Sequence, residues 1–328
     1  MRKPLLLAAG ITATLGIVYA LALTPDTDRA EMIARYGGDG ARFAAGPDGM
    51  RVHYRDQGCR SCPAVILLHG SNASLHTWEG VVKSLGDDYR IITYDQPGHG
   101  LTGPHPRDDY SAGGMFEALD AVTAATGVDR FVLGGNSMGG WVSWRYTLAY
   151  PERVEALILV DAAGAPLRAG ESPPPLNLGF RLMRNPLARP LIESITPRSL
   201  VKQSLIDSIA DPDLATDEVV DRYWELLRFP GNRRATAIRA STDRESAYAD
   251  RLNEIRQPTL VLWGDRDSLI YVSAAKTFSE RIPNTEVVIL EDIGHIPMEE
   301  APDRTAHAIG NFLESLRDSG TATPASGR

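Results

Sequence analysis

Cysteine is almost missing from this chain: Cys59 and Cys62, in Cys-Arg-Ser-Cys, are the only two. Two thiolates cannot complete a tetrahedral zinc site, and no histidine pair stands nearby at finger spacing. A thioredoxin-like redox pair opens a helix, whereas this one precedes an extended run, Ala64 to His69. No catalytic role falls to it; a short-loop disulfide and two free thiols both stay open. Long basic runs are missing too. The formal net charge is -8, and Arg233-Arg234 is an isolated pair that reads as a solvated helix face. Nucleic acid is not an expected partner, because phosphate binding needs concentrated basic surface. There is no internal repeat.

One apolar stretch approaches membrane length. Arg2 and Lys3 precede a run from Leu5 to Leu23, which as a helix would rise about 28 Å. Residues 1–24 are therefore expected to be a membrane anchor or a signal segment. Ala20-Leu21-Ala22 offers a small-x-small cleavage pattern, but cleaved signals usually carry a shorter apolar region of about 7–15 residues. Positive charge before the run, and Asp26, Asp28 and Glu31 after it, orient the rest of the chain outside the cytoplasm. It would be held at the membrane, or secreted or periplasmic after cleavage.

The remainder alternates strand and helix patterns. Residues 25–41 are polar and glycine-bearing and read as a linker with one short helix. Met50 to Arg55 alternates as an edge-type strand, with Val52 and Tyr54 on one face. Ala64–Leu68, Arg90–Tyr94, Phe131–Gly134, Ala156–Val160, Thr259–Trp263 and Glu286–Leu290 are the apolar runs of a parallel sheet covered on both faces. Helical patterns intervene: Ser111–Thr126, Met138–Tyr150, Ser273–Arg281 and Ala301–Leu316. This alternation predicts an α/β fold with a mostly parallel sheet. Residues 42–163 and 257–317 form its core. Residues 164–256 interrupt the rhythm with helical pieces only, among them Arg198–Ser208, Asp217–Leu227 and Ala235–Ile255, and read as an inserted helical cap. Residues 318–328 read as a flexible tail.

The chemistry gathers at strand ends. Gly135-Asn136-Ser137-Met138-Gly139 is weak as a pattern alone, but a strand runs into it and a helix runs out. That is the setting of a nucleophile elbow, whose tight corner needs glycines around the serine. Ser137 is the expected nucleophile, and a hydroxyl needs a base. Of seven histidines, His295 follows the last strand and precedes the last helix, which puts it on the carboxyl edge of the sheet with Ser137. His69 and His99 read as loop residues. The base needs an orienting acid. Asp267 follows the strand ending at Trp263, with Asp161 and Asp265 as alternatives. The backbone N–H of Met138 and that of Ser71, with Asn72 as the alternative, are the expected oxyanion donors. No metal or organic cofactor is needed, and activity should fall below about pH 6–7 as an imidazole base protonates.

In this order His69-Gly70, Asp95-Gln96-Pro97-Gly98-His99-Gly100, Gly135–Gly140, Pro151-Glu152-Arg153-Val154, Gly264–Asp267 and Gly294-His295 resemble the α/β-hydrolase superfamily over roughly residues 42–317. The resemblance implies an eight-stranded sheet with a helical cap after the sixth strand. It implies an acyl-enzyme esterase or lipase acting on a small-molecule acyl substrate. Ser137 argues against the epoxide hydrolases and haloalkane dehalogenases, which carry Asp at the elbow. The meta-cleavage-product hydrolases, which cut carbon–carbon bonds, are the nearest alternative. This chain departs from them in Ser71-Asn72-Ala73-Ser74 and in Ile296 after the histidine. A ligand-binding module on an inactive hydrolase fold is the non-enzymatic alternative, and it has no need of all three site residues. Phe180, Met183, Tyr223, Trp224 and Phe229 are candidates for the pocket lining or for the core of the cap.

Overall fold

The computed structural model describes residues 19–318, apart from 39, 176–177, 186, 188 and 242–245. Its strands are β1 Arg42–Ala45, β2 Arg51–Gly58, β3 Ala64–Leu68, β4 Arg90–Tyr94, β5 Phe131–Asn136, β6 Val154–Val160, β7 Thr259–Gly264 and β8 Thr285–Leu290. They form one sheet in the order β1-β2-β4-β3-β5-β6-β7-β8. β2 runs against both its neighbours, and every other pairing between adjacent strands is parallel.

The described helices of eight or more residues, or of clear position, are α1 Arg29–Tyr36, α2 Glu79–Leu85, α3 Ala112–Thr126 and α4 Met138–Ala149 before the cap. The cap holds α5 Leu178–Arg184, α6 Arg189–Ser194, α7 Arg198–Ile206, α8 Asp217–Leu227 and α9 Asn232–Ser241. After it come α10 Ser273–Arg281, α11 Pro297–Glu300 and α12 Pro302–Asp318. The cap thus enters between β6 and β7, after the sixth strand.

Side-chain alternation divides the core into two layers. On β3, Ile66 and Leu68 join Met115, Trp141 and Phe278 of α3, α4 and α10. Val65 and Leu67 join Val81, Ile309 and Phe312 of α2 and α12 on the other face. A strand buried on both faces needs apolar residues at both parities, which is why β3, β5, β6 and β7 are mostly apolar. Each buried Leu, Ile or Val contributes about 1.5–3 kcal/mol. α4 is buried nearly all round beneath the centre of the sheet.

Four expectations change. β2 is the second strand, with β1 taking the edge. β8 is not covered on both faces: as the other edge strand it leaves Val287 and Ile289 exposed. The helix expected over Ala235–Ile255 stops at Ser241, and the chain resumes as a 3-10 segment at Ser246–Glu254. Arg233 is not solvated. It is buried against the segment before α1, donating to the Thr24 carbonyl at 2.7 Å and to Asp26 Oδ1 at 2.6 Å. Its neighbour Arg234 is exposed and pairs with Asp108.

Cys59 and Cys62 are joined by a disulfide in the turn between β2 and β3. Most of the run from Leu5 to Leu23, and all of the tail beyond Asp318, lies outside the described residues. Among the described residues no helix is long and apolar enough to cross a membrane.

Candidate active site

Ser137 stands between β5 and α4 with φ 53° and ψ -115°, a conformation costly for any residue with a side chain. The corner closes only because its flanks are bare. A Cβ on Gly135 would lie 2.3 Å from the Gly139 carbonyl carbon, and one on Gly139 would lie 2.4 Å from the Leu68 oxygen. Strand, corner and helix therefore fit only with glycine on both sides, and α4 points its N-terminus at the serine. Partial positive charge there favours a developing oxyanion.

His295 and Asp267 meet behind this corner. His295 Nδ1 lies 2.7 Å from Asp267 Oδ2, and both side chains are buried. The other Asp267 oxygen accepts the N–H groups of Leu269 at 2.7 Å and Ile270 at 2.9 Å. Three N–H donors thus hold this side chain in place. Asp265 is turned away and accepts the Ile293 N–H at 3.4 Å. Asp161, at the end of β6, lies behind Asp267: one polar atom each of Asp161, Asp267 and His295 falls within 4.8 Å of the others. A grouping this tight invites comparison with a metal site. Asp267 already accepts three N–H groups, and we assign the grouping no metal.

Three residues that the sequence reading passed over hold this arrangement. Asn136, the residue before the serine, donates through Nδ2 to the carbonyls of His295 at 2.9 Å and Val160 at 3.2 Å. Glu300 of α11 accepts the N–H groups of Ala210 and Gly294. The Ser208 carbonyl of the cap accepts the His295 N–H at 2.8 Å. Nothing in a single sequence marks these contacts, since all but the one between Gly294 and Glu300 join residues far apart in the chain.

The loop after β3 forms the facing wall. A Cβ on Gly70 would come 3.2 Å from Ser137 Cβ, so this backbone passes directly against the serine. His69 Nδ1 contacts the Gly70 carbonyl at 2.7 Å, while its Nε2 accepts the Gln96 N–H at 3.0 Å. That pair of partners suits the neutral Nδ1–H tautomer. Burial agrees, pushing the His69 pKa down to about 4. His99, also buried, packs its ring against His69 at 4.9 Å and has its pKa driven well down by burial. Both histidines serve the loop. Asn72, with φ 62°, accepts hydrogen bonds from Thr236 and Arg239 of α9.

Ser71, Asn72, Ser137 and His295 open onto one cavity of about 680 Å³ beneath the cap. Met138 is buried at the head of α4, its sulfur 3.3 Å from Arg239 Nη1. Leu200, Val201, Leu205, Leu269 and Ile270 make much of the cavity wall apolar, and Met183 and Tyr223 belong to it. Phe229 instead packs with Met32, Leu101 and Leu226, and Trp224 donates to the Thr196 carbonyl. The Phe180 side chain lies outside the described residues.

A topology with its candidate nucleophile, acid and base just after β5, β7 and β8 of one parallel sheet defines a class, and the sequence agrees. Residues 63–302 match the sequence model described as the alpha/beta hydrolase fold, and the chain belongs to that family and is a hydrolase. It is 28% identical over 288 residues to the monoacylglycerol lipase ABHD6 of Homo sapiens, covering 81% of this chain and 82% of that protein. It is 29% identical over 275 residues to the 2-hydroxy-6-oxo-6-phenylhexa-2,4-dienoate hydrolase of Burkholderia cepacia, covering 82% and 93%. A solved structure of a membrane phospholipase A, described as a novel bacterial virulence factor, aligns with TM-score 0.66 at 26% identity over 97% of this chain and 99% of that one.

Proposed function

We propose that this hydrolase cleaves carboxylic esters through an acyl-enzyme, with Ser137 as nucleophile, His295 as general base and Asp267 as the orienting acid. One observation carries the reading: a serine held at φ 53° opens onto the same cavity as a histidine whose far nitrogen is 2.7 Å from a buried carboxylate. In this reading His295 takes the Ser137 proton as Oγ attacks the acyl carbonyl. Asp267 holds the Nδ1–H tautomer and stabilises the imidazolium. The backbone N–H groups of Met138 and Ser71 receive the oxyanion, at about 3 kcal/mol per donor. His295 returns its proton to the departing alcohol, and water then hydrolyses the acyl-enzyme.

The apolar wall under the cap suits an acyl chain, and relatives with lipase and phospholipase names lend the reading support, so we propose a lipid-like acyl ester as substrate. Purified protein should hydrolyse p-nitrophenyl acyl esters at least a thousandfold faster than Ser137→Ala, on the order of the losses seen when such a nucleophile is removed. Equal rates would remove the reading. Turnover of a dienoic vinylogous keto acid with esters untouched would favour carbon–carbon cleavage. That alternative is kept because of the Burkholderia cepacia relative.

We also propose that residues 1–24 hold the hydrolase at the membrane with its catalytic part outside the cytoplasm. Protease added to intact spheroplasts should then digest it. Full protection would sink this placement.

A further inference from the structure

We propose that Asp161 is a positioning residue that keeps its proton and donates it in a hydrogen bond to Asp267, so that two buried carboxyls present a single negative charge to His295. The inference rests on the reading of Asp267 as the acid that orients His295, and it gives a role to a residue that the mechanism above does not use.

The argument begins with donors. Asp267 receives three N–H groups, from Leu269, Ile270 and His295. Asp161 receives one: its Oδ1 accepts from the Gly264 backbone at 3.0 Å, and its Oδ2 is buried with no donor among the described residues. Asp161 is fully buried. Two carboxyls so close cannot both be ionised in a dry interior, and the proton goes to the one with fewer donors. That is Asp161. Protonated, its Oδ2 becomes the donor that the site otherwise lacks, and the facing Asp267 is the acceptor. Burial and the charge of Asp267 both push the Asp161 pKa well above its ordinary value. The other charged groups acting there are His295 across Asp267 and Glu300 of α11, and Glu300 adds negative charge that works in the same direction.

The backbone is committed to this placement. Asp161 has φ 44°, a conformation uncommon outside glycine, and its N–H donates to the Leu262 carbonyl of β7. The end of β6 is thereby turned so that its carboxyl faces the end of β7, where the chain leaves the sheet toward Asp267. A neutral acid here holds the second lone pair of Asp267 without adding charge beside the base.

The test uses two substitutions in the full-length protein. Asp161→Val removes the donor. kcat/KM should fall about tenfold, and the acid limb of its pH profile should move up by roughly half a unit, because a less firmly held Asp267 favours the imidazolium. Asp161→Asn supplies a neutral amide that both donates and accepts, and it should restore kcat/KM to within about threefold of wild type with the limb back in place. A limb that moves down in Asp161→Asn means that a charge was lost, and overturns the proposal. An unmoved limb in Asp161→Val does so as well. Two readouts do not depend on turnover. The wild-type infrared spectrum at pH 7 should contain a protonated-carboxyl C=O band that Asp161→Asn lacks. Folding of the wild type should also take up a proton at this site, so its stability relative to Asp161→Asn should decline as pH rises from 4 to 8. Absence of the band in wild type overturns the proposal even if the variants do not fold. Full activity in Ser137→Ala removes the triad reading instead, while the infrared band still reports the Asp161 proton.

Discussion

Gly139 illustrates how one residue joins the two halves of the site. It is the second residue of α4, and the space for its Cβ is filled by backbone: the oxygens of Leu68 at 2.4 Å and His69 at 2.7 Å. Gly139→Ala therefore cannot be absorbed by a rotamer change. Either α4 or the loop carrying Ser71 must move, at a cost of about 1–3 kcal/mol, with loss of activity as the loop withdraws from Ser137. Urea unfolding and an ester assay on the variant would measure both, and an unchanged midpoint with full activity would refute the contact. Residues of this kind are partly readable from sequence. Glycines on both sides of a serine between a strand and a helix identify the corner, and position after the last strand singles out His295. Asp161 and Asn136 are not readable in that way. Whether a carboxyl keeps its proton depends on which of two neighbours receives the N–H groups, and that is decided only when β6 and β7 lie side by side.

The segment before the sheet shows the same limit for an element. A polar, glycine-bearing stretch reads as a linker, yet residues 24–36 form a strap across the cap and the core. Asp28 caps α1 by accepting the Glu31 N–H. At the other end Arg35 and Tyr36 bind Glu225 of α8, while the Tyr36 carbonyl accepts from Arg55 and contacts His76. Arg233 of α9 meets Thr24 and Asp26. Its buried guanidinium is the vulnerable member, since removing one partner of a buried pair costs more than replacing the charge. Asp26 is half exposed, so solvent tempers the loss. Asp26→Ala should cost about 1 kcal/mol and speed hydrogen exchange in α8 and α9, whereas Arg233→Met, which removes the charge but keeps the bulk, should cost less. Equal exchange in both variants would deny the strap a role in holding the cap. The reading of Arg233 as a solvated residue failed because its partners lie some two hundred positions away. The edge position of β8 was hidden for a related reason: Val287 to Ile289 is as apolar as a central strand, and only the sheet order reveals which face is bare.

For the molecule as a whole, the buried histidines set a limit on acid. His69 and His76 are held neutral, with pKa values pushed down to about 4 from 6.5, mainly by burial, and His99 is driven well below its ordinary value for the same reason. Each binds a proton more weakly folded than unfolded. Above pH 6.5 neither state is protonated and the stability is complete. As pH falls below 6.5 the unfolded chain takes up protons that the folded one refuses, and stability is lost until about pH 4. A shift of this size corresponds to about 3 kcal/mol per histidine, so His69 and His76 alone approach the total stability of a typical domain, roughly 5–15 kcal/mol. Asp161 works in the opposite direction: with its pKa raised, it favours the fold at low pH and less so as pH rises. Glu155 and Glu300, raised by burial, act in the same direction as Asp161 and offset part of the loss from the three histidines. Asp95, held well below the usual carboxylate range by its hydrogen bond to His53 despite its burial, keeps its charge throughout this window. The melting temperature should therefore drop by roughly 5–10 °C between pH 7.5 and pH 5. His76→Gln, which keeps a polar side chain but cannot titrate, should show a smaller drop. An equal drop in the variant and the wild type would mean that the acid sensitivity lies elsewhere.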